Sequence, residues 1–117
     1  MEFLEVVSIP VSDQAKAKEF YLHIGFELIT DSDMGNGARW VQLGFPGQTT
    51  SITLVTWFSN IKPGDSQGLV IHTKDIEKDV EELTAKGVKM GKIDPTPWGK
   101  FSSFNDPDGN GMILRQE

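Results

Sequence analysis

Two histidines, three tryptophans and no cysteine are the inventory from which any chemistry of this chain must come. His72 closes the strand-like run Leu69-Val70-Ile71-His72, where an imidazole could orient a ligand or exchange a proton near neutrality. Arg115 closes a second such run, Met112-Ile113-Leu114-Arg115, and its planar fork suits a carboxylate gripped through two parallel hydrogen bonds. His23 lies between Leu22 and Ile24, off the apolar stripe of its segment, and reads as solvated. The lack of cysteine removes disulfides, thiolate nucleophiles and thiolate metal sites together. Two imidazoles are too few for a zinc site built on several of them.

Asp106-Pro107-Asp108-Gly109-Asn110-Gly111, with Glu117 in the twelfth place, satisfies the calcium-loop pattern D-x-[DN]-x-[DN]-G-x5-E. An EF-hand loop lies between two helices, whereas Phe101-Ser102-Ser103-Phe104 ahead of this one is strand-like. The segment is therefore expected to be a polar hairpin turn built by Asp-Pro and Asp-Gly. Trp40, Trp57 and Trp98 fall near strand ends and turns, where packing in a core or an interface is the ordinary use of an indole. Trp98 follows Pro95-Thr96-Pro97 and precedes Gly99, on a loop suited to cover a cavity mouth.

The surrounding chain has 117 residues, the length of one domain, and 38% apolar residues, enough for a core. Its 17 acidic and 11 basic residues give a formal net charge of −6, with the bases scattered. Such a field disfavours nucleic acid and anionic membranes. No apolar run approaches a membrane span, and the acidic start is unlike a signal peptide, so a cytoplasmic protein is expected.

Residues 3–11 read as a strand, and Ser12-Asp13 as the start of a helix with Ala17, Phe20, Tyr21 and Ile24 on one face, stopped by Gly25. Strands are expected at 26–30, 39–45 and 51–58, with a turn at 31–37. A connector over residues 60–68 follows, after which the order repeats. A strand is expected at 69–73, a helix at 75–86 stopped by Gly87, and strands at 88–93, 100–104 and 112–116, with a Pro-rich turn at 94–99. The two halves align at an offset of 62: Ile9 on Ile71, Asp13 on Asp75, Lys16 on Lys78, Gly25 on Gly87, Gly47 on Gly109. Neither half can bury its sheet alone. The expected fold is α+β, with βαβββ modules at 1–59 and 69–117 in a single domain.

A final strand entered through Asp106-Pro107-Asp108-Gly109-Asn110-Gly111 resembles the vicinal oxygen chelate superfamily, which includes glyoxalases, bleomycin-resistance proteins and extradiol dioxygenases. Ile9-Pro10-Val11-Ser12-Asp13, Glu19-Phe20-Tyr21 and Gly25-Phe26 are similar to its first strand and helix, and Lys74-Asp75-Ile76 through Lys86-Gly87-Val88 to its second. The resemblance implies one U-shaped mixed sheet around a cavity, with the helices on its outer face. It also implies four metal-ligand positions in the members that are metalloenzymes. These fall on Val6, Gly68, Ile113 and either Ser51 or Thr53, none of them a strong ligand for a hard divalent cation. No metal and no other cofactor is expected.

Strand parity divides the residues further. Val7, Ile9, Val11, Leu69, Ile71, Met112 and Leu114 should face the helices. Val6, Ser8, Pro10, Gly68, Val70, His72, Ile113 and Arg115 should face the cavity, a mixed lining suited to a small molecule. The chain is therefore expected to be a metal-free small-molecule-binding protein, with His72, Arg115, Trp98, Ser8, Trp57 and Trp40 at the ligand. The alternatives are an enzyme of the superfamily with an atypical or absent metal, for which His72 would be the catalytic group, and a partner-binding module with an emptied pocket. Kinship and the apolar stretch Trp57, Phe58 and Ile61 imply a homodimer.

Overall fold

The order of elements follows from where the chain can cap and stop a helix. A computed structural model describes residues 1–117, which run β1 (Val6–Pro10), α1 (Gln14–Ile24), β2 (Glu27–Gly35), β3 (Ala38–Gly44) and β4 (Ser51–Val55). They continue as β5 (Leu69–His72), α2 (Ile76–Ala85), β6 (Asp94–Thr96), β7 (Gly99–Asn105) and β8 (Gly111–Gln116). Asp13 caps α1 by accepting from Lys16 N at 3.0 Å, and Asp75 caps α2 by accepting from Lys78 N at 3.1 Å. Both helices stop in the same way. Gly25 and Gly87 take positive φ, and the next residues, Phe26 and Val88, donate back to Tyr21 O and Leu83 O. All of these pairs stand 62 residues apart.

The strands form two mixed four-stranded sheets that are not closed into a barrel, in the orders β1-β4-β3-β2 and β5-β8-β7-β6. In each sheet the first strand of the half pairs in parallel with the last, Ile9 beside Leu54 and Ile71 beside Leu114. This is the α+β fold of two βαβββ modules. The helices cover one face of the sheets, and the parity assignment holds there: Ile9, Val11, Met112 and Leu114 are buried, with Val7, Leu69 and Ile71 packed against them. The core is one cluster of 15 buried residues drawn from both halves, with Tyr21 of α1 and Ile76 of α2 fully enclosed. No helix is long and apolar enough to cross a membrane.

Two element assignments change. The expected turn at 31–37 is mostly strand, because β2 continues to Gly35 and the reversal is confined to Asn36 (φ 54°) and Gly37 (φ 78°). Two positive φ angles make the tight hairpin whose twist suits antiparallel strands. Asp31 stays in the ladder because Lys18 Nζ and Arg39 Nε both donate to it at 2.7 Å. The expected strand at 88–93 is not formed, and the edge strand is instead Asp94–Thr96, inside the expected Pro-rich turn. Gly91 N donates to Ser103 O and Gly91 lies close against Ser103, so the chain is tethered there by main-chain contact. Pro95 is tolerated because β6 is the outermost strand.

Candidate functional site

The sheet faces turned away from the helices carry most of the residues expected at a ligand, in two separate groups. On the first sheet, register places Ser8 beside Thr53, Thr53 beside Gln42, and Trp40 two residues from Gln42 on the same face. Trp40 and Gln42 are joined in a hydrogen-bonded chain that runs through Ser51 to Glu5. Trp40 Nε1 donates to Gln42 Oε1 at 2.9 Å, Gln42 Nε2 to Ser51 Oγ at 2.7 Å, and Ser51 Oγ to Glu5 O at 3.3 Å. The half-buried Trp40 is thus held by its own sheet.

On the second sheet, one row crosses all four strands: His72, Arg115, Phe101 and Asp94. Val70, in the next row, is 53% exposed. Trp98 sits at the tip of the β6–β7 turn and is 74% exposed. Arg115 Nε and Nη2 both donate to the Trp98 carbonyl, at 3.1 and 2.8 Å, and Trp98 N donates to Thr96 Oγ1. The guanidinium fork therefore grips a main-chain oxygen and fixes the turn that displays the indole. Trp57 joins neither group. It lies exposed after β4, its ring 6.2 Å from that of Phe58.

Register sets Val6 beside Ser51, Ser8 beside Thr53 and Val70 beside Ile113. With either Ser51 or Thr53 in the fourth place, Val6, Gly68 and Ile113 leave a single hydroxyl among four positions. That donor set does not fit a divalent cation, which needs carboxylate or imidazole ligands. No three His, Asp or Glu side chains gather elsewhere in a ligating arrangement.

An apolar cleft lies between the two halves, at the edges of both sheets. One chamber, of about 470 Å³, is bounded by Val7, Phe26, Phe45, Ile52, Leu69 and Ile71, with Gln48, Ser51 and His72 as polar members. A second, of about 210 Å³, lies against α2 and includes Ile24, Leu83, Phe104, Glu82 and Lys86. The two adjoin across Phe26, Phe45, Ile71 and His72. The Phe26 and Phe45 rings pack with centroids 4.4 Å apart. Apolar walls with a few convergent polar groups are the make-up of a small-molecule site.

Of the six residues expected at a ligand, the structure brings only His72 to this cleft. Ser8 and Trp40 lie on the open face of one sheet, Arg115 and Trp98 at that of the other. Phe26 and Phe45 were not singled out, although each carried a signal: Phe26 follows the helix-stopping Gly25, and Phe45 precedes the Pro46-Gly47 turn. An aromatic residue just beyond a helix stop is a C″ contact turned back over the helix.

The halves are joined beside the cleft. Tyr21 Oη donates to Asp106 Oδ2, and Asn110 Nδ2 to Pro10 O, linking the β7–β8 turn to β1 and α1. Burial, and then the neighbouring Asp106 carboxylate, push the Tyr21 phenol far above its usual pKa, so it stays a donor.

Comparison with known proteins agrees with this architecture. Residues 4–113 match the family described as the Glyoxalase/Bleomycin resistance protein/Dioxygenase superfamily. The chain is 32% identical over 115 residues to the uncharacterized protein YetH of Bacillus subtilis (strain 168), covering 94% of each. It is 41% identical to TnmS3, an antibiotic binding protein from Streptomyces sp. CB03234, with a TM-score of 0.94 over 99% of this chain and 96% of that one. A superfamily member from Sphaerobacter thermophilus DSM 20745 superposes with a TM-score of 0.90 at 34% identity, over 100% and 98% of the chains.

Proposed function

The chain belongs to the glyoxalase/bleomycin resistance protein/dioxygenase superfamily, and from that membership we propose that it binds a small molecule and does so without a metal. The observation that carries this reading is the pair of adjoining chambers between the halves, lined by Phe26, Phe45, Ile52 and Ile71 with His72 as a polar anchor. The likeness to an antibiotic binding protein supports it, as does the poor donor set of Val6, Gly68, Ile113 and either Ser51 or Thr53.

His72 orients the ligand by hydrogen bonding. Trp98, held outward by Arg115, together with Ser8 and Trp40 on the first sheet, forms a second ring of contacts on the open faces. The functional unit is a homodimer, in which a second copy covers Trp57 and Phe58, both exposed in the monomer. Light scattering at micromolar concentration should give twice the monomer mass; a monomer would refute the dimer.

The ligand reading is tested on protein purified without chelator. Metal analysis should find no stoichiometric divalent ion. A thermal-shift panel of cationic drugs, aromatic acids and acyl thioesters should yield a binder that raises stability by mass action, about 2.7 kcal/mol at a hundredfold excess over Kd. His72→Ala should weaken that binder, and EDTA should not. One metal per chain, or binding abolished by EDTA, would overturn the metal-free reading.

A further inference from the structure

Both helices deliver their carboxyl ends to the same side of the cleft. α1 ends at Ile24 and α2 at Ala85, and the two ends are cross-braced: His23 Nε2 donates to Lys86 O at 3.1 Å, and Lys86 Nζ donates to His23 O at 3.0 Å. A helix carboxyl end carries partial negative charge on its last carbonyls and attracts cations. Here two such ends meet, and each has drawn a basic side chain from the other.

Ile24 and Lys86 line the smaller chamber, together with Asp79 and Glu82 of α2. Asp79 accepts from the Thr73 hydroxyl. Glu82 takes part in none of the side-chain ion pairs, and the ammonium of Lys86 is turned onto His23 O. This end of the cleft therefore has an exposed carboxylate, Glu82, outside any ion pair, while the ammonium of Lys86 in the same chamber is engaged by the helix end at His23. Phe26 and Phe45 stand where the two chambers adjoin, and the larger chamber adds Ile52.

We propose that the cleft selects an amine with an apolar, ring-bearing body, the ring against Phe26 and Phe45 and the ammonium in the smaller chamber facing Glu82. The proposal rests on the small-molecule reading above and names its ligand class. Glu82 is the specificity-determining residue, because an ammonium meets its carboxylate with opposite charge whereas a neutral hydroxyl offers only an ordinary hydrogen bond. The net charge of −6 adds a field that draws cations toward the protein.

Three probes of one shape decide it: 2-(1-naphthyl)ethylamine, 2-(1-naphthyl)ethanol and 1-naphthylacetate, titrated into the full chain and followed by calorimetry and amide chemical shifts. The amine should bind at least tenfold more tightly than the alcohol and the acetate least, with shifts at Ile24, Glu82 and Lys86. Moving from 20 to 500 mM salt should narrow the gap, as expected for a screened charge. Glu82→Gln should bring the amine to within about twofold of the alcohol, changing the amine's affinity far more than the alcohol's. Equal affinity for amine and alcohol, or a preference that survives Glu82→Gln, would overturn the amine assignment and leave the cleft standing. If none of the three moves the cleft resonances, the cleft reading falls and the amine assignment with it.

Discussion

The phenol of Tyr21, on the first helix, donates to the carboxylate of Asp106, 85 residues later, at 2.9 Å inside the protein. Asp106 Oδ1 accepts from Asp108 N and Asn110 N, and Oδ2 from Tyr21 and Asn110 Nδ2. Asn110, 1% exposed, also accepts on Oδ1 from Gly64 N and Ser66 N. The polar turn between β7 and β8 is thus the joint of the two halves. Ser12 strengthens it by donating to Asp108 from both Oγ and N.

Tyr21→Phe keeps the ring and its edge-to-face contacts with Phe20 and Phe26 but removes the donor. One buried carboxylate oxygen is then left with Asn110 alone. Urea unfolding should show a loss of about 1–3 kcal/mol, the cost of under-satisfying a buried acceptor. An unchanged midpoint would mean that water replaces the phenol.

Asn110→Asp places a second carboxylate 2.8 Å from that of Asp106 and removes the donor to Pro10 O. Folding should cost about 3–5 kcal/mol at pH 7, as for a buried charge without a partner. Repulsion raises a carboxyl pKa in the folded state above its unfolded value. The lost stability should therefore return as pH falls toward the unfolded carboxylate pKa, about 3.9. Unfolding midpoints from pH 7 to 4 would test it, and a deficit constant with pH would refute it.

Asp31 responds to pH in the opposite sense. Its hydrogen bond from Lys18, then that from Arg39, hold its carboxyl below the usual value of 3.8. A depressed folded pKa gives stability that is present above the unfolded pKa and is lost as pH falls through the folded one. Asp31→Asn should thus be less stable than the parent at pH 7, and the difference should shrink below pH 3.8. Paired urea titrations at pH 7, 4 and 2.5 would show it.

Arg115→Ala removes both hydrogen bonds to the Trp98 carbonyl. The loss of global stability should be small, about 1 kcal/mol, because the pair is partly solvated. Amide exchange at Trp98 and Gly99 should speed up while that of β8 is unchanged. Equal exchange in parent and variant would mean that the turn is held by Thr96 alone.

Caps, helix stops and the 62-residue repeat were legible in the chain itself, because each depends on residues within one helical turn: Asp13 with Lys16, Asp75 with Lys78, Gly25 and Gly87 with the residues before them. The alternation of Val7, Ile9 and Val11 likewise set which face of β1 is buried, since successive side chains of a strand point oppositely. The extent of β2 was not legible. Asp31 reads as a turn residue until Lys18 and Arg39, distant in sequence, bind it. The strand expected at 88–93 failed for the same kind of reason, because its partner is decided by where Gly91 meets Ser103.

The candidate site divides in the same way. His72 stood out as an imidazole in an apolar strand, a local signal, and it does line the cleft. Arg115 stood out equally, but its partner is a carbonyl 17 residues away, and only the folded turn brings the two together. The cleft itself has no local signature, because Phe26, Phe45, Ile71 and Glu82 come from four separated segments. Short-range physics determined the elements and their buried faces; the assembly of two halves around a buried carboxylate decided where the hollow lies and which groups line it.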